Sequence, residues 1–197
     1  MMRIVLVLLL LGFPIRLPGA AAQGVKLPQT PAEAVAALPG ELGGWRRGSI
    51  TDFEQRPNGA GLGAAAEYRP AAGAGVATVY LYDRGIAALP DGTASPQVEA
   101  ELAQAMKEVE LLAAQRRYRV EGRLPAEPVR GPGGRPALAC EAVTLAFEGG
   151  SRSDGFVCIG VLRGRFLKLR LSLPAGAPEA EAELLQALGR EAVAAAR

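Results

Sequence analysis

The chain of 197 residues contains no histidine. No other side chain has an unperturbed pKa near neutrality, so histidine-based catalytic triads and the usual zinc sites are excluded. The two cysteines, Cys140 and Cys158, are too few for a metal site and too far apart for a Cys-x-x-Cys redox motif. They fit a structural disulfide in an exported chain, with two buried thiols or a catalytic dithiol as the rivals. The glycine-rich stretch Gly131-Pro132-Gly133-Gly134 lacks the lysine and the preceding strand of a phosphate-binding loop. No cofactor or metal ligand set emerges.

The acidic candidates are Asp52, Glu54, Glu67, Asp83, Asp91 and Asp154. A carboxylate-dependent hydrolase needs two of these at a defined separation across a cleft, and the sequence establishes no such pair. Asp83 and Asp91 stand in turn contexts that use aspartate for backbone hydrogen bonds. Glu67 reads as a solvated sheet residue. Tyr80 and Tyr82 share one strand face, with Tyr68 nearby; the three could face a ligand or border a core. Two basic runs, Arg116–Arg123 and Arg163–Arg170, read as solvated strand faces that discourage edge pairing.

Around the cysteines, Ala137–Pro174 forms three β-like runs separated by Gly149-Gly150 and Arg163-Gly164. Direct pairing of Cys140 with Cys158 centres the first hairpin on Gly149, with Glu148-Gly149-Gly150 as a three-residue loop. A ladder centred near Ser151 would set Cys140 opposite Leu162 and forbid the bond. The second turn then sets Leu162 opposite Arg165 and Cys158 opposite Leu169. Cys140, Ala142, Phe156, Cys158, Leu167 and Leu169 fall on one face. Val143, Val157, Ile159, Val161 and Phe166 fall on the other, continued by Lys168 and Arg170 on a face expected to be wet.

The chain opens with Met1-Met2-Arg3, an apolar run from Ile4 to Phe13, and Ala20-Ala21-Ala22, the pattern of a signal peptide cleaved before Gln23. The apolar run is about half of what a bilayer span needs. Removing residues 1–22 takes away Arg3 and Arg16 and leaves 20 basic against 20 acidic residues. Nucleic-acid binding, which rests on a surplus of Lys and Arg, is not expected of such a chain. Residues 23–197 suit a single domain.

Thr30-Pro31-Ala32-Glu33 is a capping-box helix start, ended by Pro39-Gly40. Strands are expected at Gly48–Glu54, Leu62–Tyr68, Val76–Tyr82 and Arg116–Leu124, with Pro125–Pro136 as a loop. Ser95-Pro96 opens a helix to about Ala114, striped by Val98, Leu102, Ala105, Met106 and Val109. Pro178–Arg197 forms a last helix with Leu184, Leu185, Leu188 and Ala192 inward. Loops Gln55–Gly61, Asp83–Thr93 and Pro125–Gly134 are the expected contact surfaces.

The stretch LGAAAEYRPAAGAGVATVYLYDRG, with LPDG and a Ser-capped helix after it, resembles uncharacterised exported bacterial proteins. The order of hairpin, long helix, antiparallel meander and C-terminal helix resembles the PsbP/Mog1-like α/β/α sandwich. That resemblance implies an accessory or binding factor and transfers no residue. The expectation is an α+β domain with an antiparallel sheet of about six strands and helices on its faces. Its expected role is that of a non-catalytic periplasmic binding or accessory module. The rivals are a carboxylate hydrolase and an envelope protein–protein interaction module that shows an exposed apolar patch.

Overall fold

The computed structural model describes residues 30–197, so the expected leader and cleavage site lie outside the described residues. The strands are β1 (Glu41–Leu42), β2 (Trp45–Asp52), β3 (Ala64–Pro70), β4 (Val76–Tyr82), β5 (Tyr118–Arg130), β6 (Pro136–Phe147), β7 (Arg152–Leu162) and β8 (Arg165–Pro174). They form one curled antiparallel sheet in the order β1-β2-β3-β4-β8-β7-β6-β5. The helices are α1 (Pro31–Ala36), α2 (Pro96–Leu111), α3 (Ala113–Arg116) and α4 (Pro178–Ala195). No described helix is long and apolar enough to cross a membrane.

This corrects the expectation of a sheet of about six strands in a PsbP/Mog1-like layout: the fold is an eight-stranded half-barrel, richer in strand than that sandwich. The extra strand content comes from one strand with no sequence signal and from one that runs on past its expected end. Two-residue β1 is too short to show any alternation. β5 runs straight through Pro125 and Pro128 to Arg130, where a loop was expected. Proline is tolerated there because β5 is the outermost strand and its outward N–H groups have no partner to lose. Register shifts at Val120/Gly122 and Ala126/Val129 let the strand bend as it passes them.

The central meander has the expected register. Cys140 lies opposite Cys158, Cys158 opposite Leu169 and Leu162 opposite Arg165. The Cys140–Cys158 disulfide is formed. Gly150 closes the first hairpin at φ +82°, and its N–H donates to the Phe147 carbonyl. That conformation suits glycine because a Cβ would crowd the following carbonyl.

Two cores lie on opposite faces of the sheet. The first packs α1 and α4 on Ala64, Ala66, Tyr68, the disulfide, Leu167, Leu169 and Leu171. The second packs α2 on Val143, Val157, Ile159, Val161 and Phe166 through Val98, Leu102, Met106 and Val109. Burying each such side chain stabilises the fold by about 2 kcal/mol. The helix starts follow local chemistry. Thr30 and Glu33 exchange capping hydrogen bonds at 3.2 and 2.8 Å, and the Ser95 hydroxyl accepts from the Val98 N–H.

Gly63, just before β3, lies close against the backbone at the end of β4. Its φ is +65°, and an added Cβ would lie 1.9 Å from the Leu81 carbonyl oxygen. Gly63→Ala should therefore cost about 2 kcal/mol through left-handed strain and overpacking together. A denaturant midpoint unchanged from wild type would refute that reading.

α4 holds the two sheet edges together. At one edge, Leu188 packs on Gly43 and the Glu191 carboxylate accepts from the Gly43 N–H at 2.8 Å. At the other, the Gln186 amide donates to the Pro128 carbonyl at 3.1 Å, and its oxygen accepts from the Arg130 N–H at 3.4 Å. Gly189 allows this docking: a Cβ there would lie 2.7 Å from both methyls of Val129.

Candidate ligand-binding groove

Strand alternation sends Leu124, Ala142 and Phe156 to the face that carries α4, in one cross-strand row over β5, β6 and β7. The C-terminal half of α4 closes on β5 at Gly189 and Val129, and Pro178, Glu181 and Ala182 of its first turns line a gap towards that row. A groove of about 1000 Å³ opens between them. Its apolar surface comes from Leu124, Pro125, Ala126, Ala142, Phe156, Ala182 and Leu185. Leu124 is 68% exposed, so the outer wall meets solvent directly.

Polar groups cluster at the two ends. At one end, Asp154 accepts a hydrogen bond from the Thr144 hydroxyl at 2.7 Å. Glu181 also lines the groove; it is 5% exposed and accepts from the Ala177 N–H at 3.1 Å. Neither carboxylate has a cationic partner among the described residues. Thr144 and Asp154 continue into a second, shallower hollow of about 520 Å³ beside Ala175 and Gly176. At the other end stand Arg130, Gln186 and Arg190. A large, mostly apolar concavity with a few polar groups at fixed positions is the usual form of a small-ligand site.

The expected ligand-facing tyrosines do not meet there. Tyr68 is fully buried on the α1 side, and its hydroxyl donates to the Pro39 carbonyl at 2.9 Å. Tyr80 and Tyr82 lie on the α2 side, where Tyr82 belongs to the second core and Tyr80 packs against it. The Tyr82 hydroxyl donates to Glu101 at 2.8 Å, and Arg84 donates to the same carboxylate at 2.8 Å. Burial, with the Glu101 charge alongside, pushes the Tyr82 phenol far above its ordinary range.

Lys168 completes this cluster. The face it shares with Arg170 was expected to be wet, but Lys168 is 8% exposed, because the cluster beneath α2 covers it. Its ammonium sits 4.7 Å from the Tyr80 ring centroid and 5.1 Å from that of Tyr82, a double cation–π contact. Burial pushes the Lys168 pKa down, opposed by Glu108 and Glu101 and reinforced by Arg170 and Arg84. Between its folded pKa and the ordinary 10.5, the unfolded chain binds the extra proton, so this lysine makes stability rise with pH. The stability of wild type minus that of Lys168→Met should accordingly climb as the pH is raised through the alkaline range towards about 10, where tyrosine ionisation begins to intrude. Parallel stability curves for the two proteins would exclude the effect.

The acidic candidates are dispersed in local roles. Asp52 accepts from the Glu54 N–H and the Gln55 amide, and Glu67 pairs with Arg69 at 2.8 Å. Asp83 accepts from the Gly85 N–H at 2.7 Å, and Asp91 from the Gly164 N–H at 3.2 Å. Of the six, only Asp154 lines the groove. The basic run on β5 is neutralised in place: Glu121 binds Arg119 and Arg152, and Arg123 pairs with Glu141 and Glu110. The arginines beside it hold the Glu121 carboxyl below its usual range. Among the described residues no group of His, Cys, Asp and Glu could hold a metal ion.

Of the expected contact loops, Pro125–Gly134 contributes Pro125–Pro128 and Arg130 to the groove as strand rather than loop. Phe156, Leu185 and Glu181 were not expected as site residues, because each reads as an ordinary core or helix position. The chain matches no protein-family model, and no curated protein is significantly similar to it.

Proposed function

We propose that this chain is an exported, non-catalytic binding module whose ligand occupies the groove between β5–β7 and α4. The observation that supports the reading is the groove itself, about 1000 Å³ of mainly apolar surface with polar groups at its ends. It lies on the disulfide-bearing face, and a disulfide persists in an oxidising compartment such as the periplasm. The groove walls are a sheet and a helix tied at one end, so the site is largely pre-formed and binding orders few side chains.

Native mass spectrometry of protein purified from a bacterial periplasm tests this directly, because extra mass that disappears on denaturation is a carried ligand. Ala182 lies on the exposed wall, where an indole would fill the groove without entering either core. Ala182→Trp should abolish the extra mass and lower binding of the neutral dye Nile red at least tenfold, with the melting temperature unchanged. Equal dye binding by wild type and variant would remove the groove as the ligand site.

A further inference from the structure

The groove is polarised along its length, and this bears on what fills it. This step rests on the reading of the groove as the ligand site. Asp154 pairs in register with Leu173 near the end of β8, and the chain turns there to start α4. Glu181, one turn into α4, reaches back to the Ala177 N–H, so the two carboxylates share that end. Gln186 is fixed to Pro128 and Arg130, so Arg190, one turn further along α4, belongs to the opposite end.

From residue 181 to residue 190 a helix rises about 13 Å. An extended chain of four residues covers the same span at about 3.3 Å each. Arg190 has no partner among the described residues. Arg130 beside it donates to the Gly134 carbonyl at 3.1 Å and stands 4.0 Å from Glu127. One end of the groove therefore offers Asp154 and Glu181 with no counter-cation, and the other offers the unpaired Arg190 guanidinium, with Glu127 drawn to Arg130 there and Glu183 on the exposed rim of α4. Apolar surface lies between.

We propose that the ligand is a short extended peptide of about four residues with free termini, its ammonium at Asp154 and Glu181 and its carboxylate at Arg190. Apolar side chains lie on Phe156 and Leu185. A neutral lipid chain would leave both charged ends unsatisfied, and a simple anion or cation would satisfy only one.

Isothermal titration of the full chain with the tetrapeptide alanyl-leucyl-leucyl-alanine, its N-acetyl form and its C-terminal amide tests the proposal. Each cap removes one charge-assisted contact and should weaken binding about tenfold. Acetylation should cost less in Asp154→Asn than in wild type, and nothing further once Glu181→Gln is added; the amide oxygens of both variants can still accept from Thr144 and from the Ala177 N–H. Amidation should cost nothing further in Arg190→Gln. Binding indifferent to both caps, or no peptide binding by a protein that takes up Nile red in an Ala182→Trp-sensitive manner, would overturn the peptide while leaving the groove as a site. Absence of both peptide and dye binding would remove both.

Discussion

Glu101→Ala should destabilise the protein by about 4 kcal/mol, the largest effect expected of any single substitution considered. Glu101 is 8% exposed and accepts from both the Tyr82 hydroxyl and the Arg84 guanidinium. Its charge also acts on Lys168, whose ammonium faces two tyrosine rings and has no carboxylate within ion-pair distance. Truncating Glu101 leaves Arg84 and Lys168 as neighbouring partly or wholly buried cations and orphans a buried phenol. Half-exposed Arg84 can turn to solvent or to Glu108 at 3.9 Å, but Lys168 cannot leave. Glu101→Gln keeps an acceptor for Tyr82 and should lose less than the alanine variant. Urea denaturation of the two variants separates the contributions, and equal losses would mean that charge, not the hydrogen bond, dominates.

Breaking the Cys140–Cys158 bond should cost about 3 kcal/mol in the chain-entropy view, given a separation of 18 residues. For a domain of this size that is a fall of about 9 °C in melting temperature. The bond joins β6 and β7 in the first core, and Ala126 of β5 pairs with Cys140. Its loss should therefore loosen the groove wall as well as the fold. Cys140→Ala with Cys158→Ala, compared with wild type with and without reductant, provides the measurement. A double variant that melts with wild type would show that the ladder alone fixes the hairpin.

The hairpin register was legible because two independent signals converged: the cysteine spacing and the glycines of the turn both centred it on Gly149. The α2 stripe was legible because its period is helical over several turns. The eight-stranded curl was not. Pro125 and Pro128 signal a loop in any segment whose place in the sheet is unknown, and they become acceptable only once β5 is the edge. Lys168 misled for a related reason. Its alternation with leucine on β8 describes one apolar face, and only the tertiary fold decides whether α2 covers the other. The groove was least legible, since it is a gap left by the angle of α4, and no local pattern encodes that angle. Asp154 was a candidate by residue type, whereas Phe156 and Glu181 carry no signal apart from their neighbours in space.

The bridge that α4 makes between β1–β2 and β5 also sets an order in time. α4 follows every strand in the chain, so the sheet can pair strand by strand while its two edges and the first core remain open. That opening closes only when the eighteen residues of α4 dock. Until then the surface that will line the groove is uncovered, together with Leu167, Leu169 and Leu171 beneath it. A nascent chain is then most exposed to chaperones and to aggregation, and the same surface becomes selective only when the final helix lands.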